Sequence, residues 1–459
     1  MLLQKNMESA QGKARVPTKI IVLDDDPTGS QTVHGCLLLT LWDVATLQEA
    51  LADSAPLFFV LTNTRAVDAA RAAAITRDVC RNLKLALAGL DIQTIIVSRS
   101  DSTLRGHYPV ETDVIAEELG PFDAHFLVPA FFEAGRYTRD SIHYLKLGEK
   151  DIPVHETEFA RDSVFGYRHS FLPDYVEEKT QGRIRSNSVV RLLLADIRAG
   201  VADRLLQLKD NTCVVVDAEQ QADLDACVDD LLKASQTGKR FLFRSAASLL
   251  TSLARLPPQP VAAQAMGQYV HAGRAGVVIV GSHVPRSTRQ LEVLLREPGT
   301  IALEVDVARI SVDRETLLNK LLEQAEQAHR AGNTPVIYTS RHEFRFASQG
   351  ERLDFGAQVS AFLMDIVRNM PPTLGYLISK GGITSNDVLS SGLALRTARL
   401  LGQVLPGVSV VRTPPDHARF PELPVVIFPG NVGDDSALVE VYRRLNRAPD
   451  ARSHVSRHA

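Results

Sequence analysis

The sequence predicts an α/β protein of two domains. Each domain is built on a mostly parallel sheet flanked by helices, and the active site lies in the cleft between them. Three observations carry this expectation. Short apolar, β-branched runs recur along the 459 residues, each stopping at small or charged residues, as strands buried on both faces do. Helical stretches lie between them, and strand–helix alternation is the signature of parallel sheets. A proline-rich break then leaves six runs on either side.

In order, the first-half strands are expected at Ile20–Leu23, Leu57–Leu61, Thr94–Val97, Phe126–Val128, Val214–Val216 and Phe241–Phe243. The second half has Val277–Val280, Ile301–Val305, Val336–Tyr338, Tyr376–Ser379, Val408–Val411 and Val425–Phe428. Among the helices, Glu315–Arg330 places Leu317, Leu318, Leu321, Leu322, Ala325 and Ala328 at helical spacing, with Ser311 and Asp313 as upstream caps. Leu256–Ala263, Leu-Pro-Pro-Gln-Pro-Val-Ala-Ala, cannot sustain a helix and reads as a linker. The expected domains are therefore 1–256 and 266–447, joined by 257–265. Gly135–Arg185 breaks the alternation and reads as an excursion from the first domain, a hairpin or flap. The end of the chain, Ala448–Ala459, is expected to be disordered.

Lys plus Arg is 51 and Asp plus Glu is 54, a net charge of −3. Without basic blocks, a nucleic-acid or membrane-surface partner is not expected. The four cysteines form no CxxC pair and suit a reducing cytoplasm. Met1 to Lys19 lacks the apolar core of a signal peptide, and no apolar run approaches the ~18 residues of a membrane span. A cytoplasmic protein is the expectation.

Ligands of open α/β sheets collect at the carboxyl ends of strands. Asp24-Asp25-Asp26-Pro27-Thr28-Gly29 follows the first run. Three adjacent carboxylates need a cation, donors or water to stay ionised, and they can bind Mg2+, accept a proton or hold hydroxyls. Asp-Pro-Thr-Gly is equally good turn chemistry. Ser98-Arg99-Ser100-Asp101-Ser102-Thr103-Leu104-Arg105-Gly106 offers guanidinium forks and hydroxyls to a charged, sugar-like ligand, or forms a self-paired surface loop. Asn63-Thr64-Arg65 repeats the theme, as a site or as a helix cap.

The second-half clusters are glycine-rich: Gly281-Ser282, Lys380-Gly381-Gly382-Ile383-Thr384-Ser385 and Gly430-Asn431-Val432-Gly433. Such turns let backbone N–H groups approach a phosphate, and three in one domain favour a shared anion site over three ordinary turns. There is no Walker A, GxGxxG opening the first βα unit, GxSxG or HExxH motif.

These motifs resemble those of the four-carbon acid sugar kinase family. Leu23–Gly29 is similar to its Asp-Asp-(Phe/Pro)-Thr-Gly signature, Asp101–Gly106 to its Asp-Ser-Thr-Leu-Arg-Gly motif, and the three glycine turns to its nucleotide-binding motifs. Pro27, Ile383 and Pro429 depart from the commonest pattern. His143–Asp162 resembles a long-form branch that includes enzymes similar to 3-oxo-isoapionate kinase. The resemblance implies ATP- and Mg2+-dependent phosphorylation of a hydroxyl on a sugar-derived acid such as threonate, erythronate or a 3-oxo-tetronate. Carried over by motif, Asp25, Asp26 and the stretch Asp101–Arg105, with Asp101, Ser102, Thr103 and Arg105, belong to the acid-sugar side. On the chemistry of these residues Asp25, Asp26 and Arg105 are the expected catalytic residues: Asp25 or Asp26 to deprotonate the hydroxyl and Arg105, with Arg99, to bind the carboxylate. Thr28, Gly29 and Arg65 are expected as further substrate contacts. Ser282, Gly381, Gly382, Ile383, Thr384 and Gly430 would contact the nucleotide, and no dedicated protein metal site is expected. The partners are then the acid, ATP and, at most, a second copy of the chain. Rival readings are a Mg2+-dependent acid-sugar enzyme of the dehydratase kind, which would not consume ATP, and a non-catalytic nucleotide or acid-sugar sensor.

Overall fold

A computed structural model describes residues 17–271, 274–341 and 349–446; Ala448–Ala459 lies outside them. The first-half strands are β1 (Thr18–Asp24), β2 (Leu37–Leu39), β3 (Leu57–Leu61), β4 (Gln93–Arg99) and β5 (Ala124–Val128). Then come β6 (Arg136–Arg139), β7 (Ile142–Leu147), β8 (Lys150–Pro153), β9 (Val190–Leu192), β10 (Thr212–Val216) and β11 (Phe241–Ser245). The second half contributes β12 (Val277–Val280), β13 (Thr300–Val305), β14 (Thr334–Thr339), β15 (Leu377–Lys380), β16 (Thr397–Leu405), β17 (Val408–Arg412) and β18 (Pro424–Phe428). All twelve expected runs are strands, and helices separate most of them.

Two separate sheets were expected. Instead the half-sheets join edge to edge into one sheet of 15 strands, ordered β13-β14-β12-β15-β18-β17-β16-β2-β3-β1-β4-β11-β5-β10-β9. The join is the antiparallel pairing of Thr397–Arg399 with Leu37–Leu39, extended by backbone bonds from Gly35 to Leu400 (2.7 Å) and from Leu400 to Cys36 (2.9 Å). Arg399 adds an ion pair to Asp53 at 2.6 Å. One apolar cluster runs through both halves, from Val22 and Phe59 to Ile279 and Leu363. Every pairing in the large sheet is parallel except β2–β16, β16–β17 and β17–β18.

Because of these antiparallel steps, the two parallel blocks run in formally opposite senses. A twist of about 20–25° per step, accumulated over the six steps from β15 to β1, swings the carboxyl ends of the two blocks toward one another.

The helix Arg314–Arg330 buries Leu317, Leu321, Ala325 and Ala328 as its spacing predicts, with Asp313 at its N-cap position. The excursion is a three-stranded antiparallel sheet, β6-β7-β8, followed by short 3-10 turns and the helix Leu172–Lys179. Residues 256–262 carry no helix or strand, as the proline run requires.

Candidate active site

The aspartate turn is built on the end of β1. Gly29 N donates to the Asp26 carbonyl at 3.0 Å, and Thr28 N to Asp26 Oδ1 at 2.7 Å, so Asp-Pro-Thr-Gly does make a turn. Asp24 is fully buried, with Arg99 Nη1 3.2 Å from Oδ1 and no donor to Oδ2. Burial pushes its carboxyl up to about 7 against the pull of Arg99. A Cβ on Gly29 would overlap this carboxylate, so only glycine closes the turn.

Asp25 is buried. Its Oδ2 accepts from Ser100 Oγ, while Oδ1 has no hydrogen-bond donor. Asp26 is partly open and pairs with Arg65. Burial raises its carboxyl, but Arg65 and Thr28 outweigh that and hold it below the usual range. Arg65, in the short turn after β3, also lies 3.7 Å from Asp25 and 3.5 Å from Asp101. The cations that three adjacent carboxylates need are therefore built in: Arg65 for Asp25, Asp26 and Asp101, and Arg99 for Asp24. Arg99 is 5% exposed and lies beneath the turn rather than in the cleft. Asn63 makes no side-chain cap.

The loop after β4 gathers the rest. Asp101 accepts from Arg105 Nε at 2.7 Å and from Thr103 Oγ1. Burial raises its carboxyl, but Arg65 and Arg105 keep it well below the usual range. The Arg105 guanidinium stacks 4.9 Å over Phe159 and lies 3.7 Å from Asp162. Ser102 and Thr103 are buried.

The loop's successive carbonyls are each held from outside. His143 Nε2 lies 2.8 Å from Ser102 O, and the Tyr167 and Tyr175 hydroxyls donate to Thr103 O (2.7 Å) and Leu104 O (2.8 Å). Arg244 Nη2 donates to Arg105 O at 3.1 Å. Gly106, at φ 116°, passes so close to Arg244 that a Cβ would lie 2.8 Å from Nη2. The excursion is thus the mould of this loop, a role its polar sequence did not announce. Glu111 is another residue sequence reasoning missed. It is buried and accepts from Thr64 Oγ1, and its carboxyl is pushed up by burial and then by the charge of Asp25.

Across the cleft, the three glycine turns meet. Ser287 Oγ donates to the Gly430 carbonyl (3.0 Å) and lies 3.1 Å from Ser282 Oγ. Gly381 N donates to Phe428 O at 2.8 Å. Thr384 Oγ1 packs against Gly281, and Ser282 Cβ lies beside Gly381. Ile383 is 66% exposed. Lys380, which opens the Lys-Gly-Gly-Ile-Thr-Ser run, is fully buried. Its Nζ donates to Pro429 O (2.6 Å) and Gly430 O (3.2 Å) and sits 3.9 Å over the Phe428 ring. Burial, then Arg286, push its amine down to about 7.

The two sides come close: a methyl group built on Gly382 would lie 3.8 Å from Asp26 Oδ2. Among the described residues, no group of three or more His, Cys, Asp or Glu is arranged to hold a metal ion. The hard carboxylate oxygens of Asp25 and Asp26 suit Mg2+ as one or two ligands beside phosphate oxygens.

A family model described as a sugar-binding N-terminal domain matches residues 20–253, and one described as a nucleotide-binding C-terminal domain matches residues 277–438. The chain belongs to the four-carbon acid sugar kinase family. It is similar to a D-threonate kinase of Bordetella bronchiseptica, 28% identical over 302 residues, covering 64% of this chain and 66% of that one. A D-erythronate kinase of Heliobacterium modesticaldum is 25% identical over 307 residues, covering 63% of each. The match thus spans just under two thirds of either relative. A solved Haemophilus influenzae structure shares the fold at a TM-score of 0.63 and 17% identity, covering 93% of this chain and all of that one. A Salmonella typhimurium LT2 structure does so at 0.67 and 19%, covering 94% and all. The Bordetella and Heliobacterium relatives are both kinases of sugar-derived acids. Among the described residues, no helix is long and apolar enough to cross a membrane.

Proposed function

We propose that the protein transfers the terminal phosphoryl group of ATP to a hydroxyl of a small sugar-derived acid. Residues 1–256 would handle the acid and 266–447 the nucleotide, with 257–265 as the link. One observation carries this reading: the aspartate turn lies close enough to the Gly381–Gly382 turn that a methyl group added at Gly382 would come within 3.8 Å of Asp26 Oδ2. A phosphoryl group held by glycine-turn amides would lie within reach of a hydroxyl held by Asp26. The match of the halves to a sugar-binding and a nucleotide-binding model supports the same division.

In the reaction the substrate oxygen bonds to the γ-phosphorus as the bond to the β–γ bridging oxygen breaks, releasing ADP. The hydroxyl proton passes to a carboxylate. Asp26 is the better placed acceptor, because it is ionised and open to the cleft; Asp25 is the buried alternative and is tied to Ser100. Arg105, anchored through Nε by Asp101, would use its remaining N–H groups on the substrate carboxylate. Thr28 and Gly29 shape the turn, while Ser102 and Thr103 shape the loop. Ser282, Gly381, Gly382, Thr384 and Gly430 would line the phosphates, with Ile383 offering an apolar contact. Mg2+, when carried in with the triphosphate, supplies charge neutralisation on the phosphate oxygens.

An ADP-release assay against D-threonate, D-erythronate, 3-oxo-tetronates and branched 3-oxo acids tests the reading. Release of ADP that depends on one of these acids is expected. Loss of the acid without ATP consumption would favour the dehydratase-like rival, and ATP binding with no turnover on any acid the sensor.

A further inference from the structure

Arg136 opens β6, the first strand of the excursion, and is unusual in its surroundings. Arg65, Arg99 and Arg105 all face carboxylates; Arg244 also keeps a buried Nε without an acceptor, and its Nη2 is used on the carbonyl of Arg105 itself. Among the described residues Arg136 has no carboxylate partner. Its Nη1 donates to the Ala134 carbonyl at 2.7 Å, and its Nε is buried with no acceptor. Its Nη2 has no protein acceptor among the described residues.

The strand aims this group at the site. Side chains two apart share a face, so Arg136 lies on the face of Thr138, whose partner across the ladder is His143. Thr138 Oγ1 and His143 Nδ1 are 2.9 Å apart, and the far nitrogen of that ring holds the Ser102 carbonyl. The face bearing Arg136 therefore covers the Asp101–Gly106 loop. After burial, the charges that act most on Arg136 are Asp101 and Arg105, followed by Glu158. A half-buried guanidinium without a counter-ion is costly, and an incoming anion would remove that cost.

We propose that Arg136 is a second carboxylate-binding residue, which forms with Arg105 a two-arginine clamp on the acid end of the substrate. This rests on the reading of the first half as the acid-sugar side and narrows it. The clamp selects a carboxylate over a neutral polyol of the same length.

The test compares the full-length wild type with Arg136→Met and Arg136→Lys, using the best acid from the screen and its neutral polyol analogue. Loss of a charge-assisted contact should raise the KM for the acid about 10- to 100-fold in Arg136→Met. The KM for ATP should stay within about twofold, and the preference for acid over polyol should fall by the same factor as the acid KM rises. Arg136→Lys should recover part of the loss, since a point charge cannot reproduce the planar fork. An unchanged acid KM and acid preference in folded Arg136→Met would overturn the clamp. If that variant does not fold, wild-type kinetics in Arg136→Lys would overturn it. A wild type that consumes no ATP with any acid would instead refute the kinase reading. Calorimetric binding of the same acids to wild type and variant then decides the clamp alone, with equal affinities counting against it.

Discussion

Replacing Asp26 with asparagine separates chemistry from architecture. The variant keeps the side-chain shape and an Oδ1 able to accept from Thr28 N, which donates to the aspartate at 2.7 Å. What goes is the negative charge that Arg65 holds and that faces Gly382. Arg65 keeps Asp25 and Asp101 at 3.7 and 3.5 Å, so the variant should lose only about 1 kcal/mol of stability, as for a partly exposed pair. Removing a positioned base costs on the order of 10²–10⁴ in rate, which is about 3–5 kcal/mol of barrier at 1.36 kcal/mol per decade. The assay is steady-state ADP release, with ATP affinity by calorimetry and folding by a thermal melt. Turnover should fall at least ~100-fold with ATP affinity preserved. Near-wild-type turnover in the folded variant would remove Asp26 from the proton-accepting role, and a selective loss of ATP affinity would move it to the nucleotide side.

Gly382→Ala places a methyl 3.8 Å from Asp26 Oδ2, in space the transferred group needs. Turnover should fall at least ~10-fold with an unchanged melting temperature, since 1.4 kcal/mol of lost transition-state fit suffices; full activity would show that transfer occurs elsewhere. Gly29→Ala drives a Cβ into the buried Asp24 carboxylate and its bond to Arg99. Overpacking together with a disturbed buried pair should cost roughly 3 kcal/mol or more in chemical denaturation, and a loss under about 1 kcal/mol would show that the turn yields cheaply. Lys380→Met tests the buried amine through pH. Its folded pKa lies near 7, below the unfolded value of 10.5, so the unfolded chain binds the extra proton between those values. Wild-type stability should therefore rise relative to the variant from pH 7 to 10, by a few kcal/mol. A flat difference would mean that the amine keeps its proton when folded.

Much of the scaffold was legible because a strand buried on both faces is written as a continuous apolar run. The elements that escaped are those where that rule fails. Leu37–Leu39 is too short to stand out, Val190–Leu192 is interrupted by Arg191, and Thr397–Leu405 carries Arg399, Gly402 and Gln403. Direction was also hidden, since an apolar run reads alike in either sense. Yet Pro406-Gly407, the two-residue turn between β16 and β17, dictated an antiparallel hairpin, because parallel strands need a crossover. At the site, residues next to one another in sequence were visible as clusters. The convergence of Arg65 on three aspartates, and the framing of the Asp101–Gly106 loop by His143, Tyr167, Tyr175 and Arg244, depend on tertiary packing. Arg244 did leave a signal, as a charge closing the run Phe241–Phe243, whereas the excursion's tyrosines left none.

The seam between β2 and β16 has a consequence for any attempt to dissect the chain. Cutting within 257–262 would strip each piece of its neighbour and bare a row of unsatisfied backbone groups along Gly35–Leu39 on one piece and Thr397–Leu400 on the other. Such borders invite promiscuous association. Each piece made alone should precipitate, whereas co-expression should return a soluble pair. Two separately soluble fragments would show that the border is not what binds them. The molecule is thus better regarded as one indivisible body than as two portable modules.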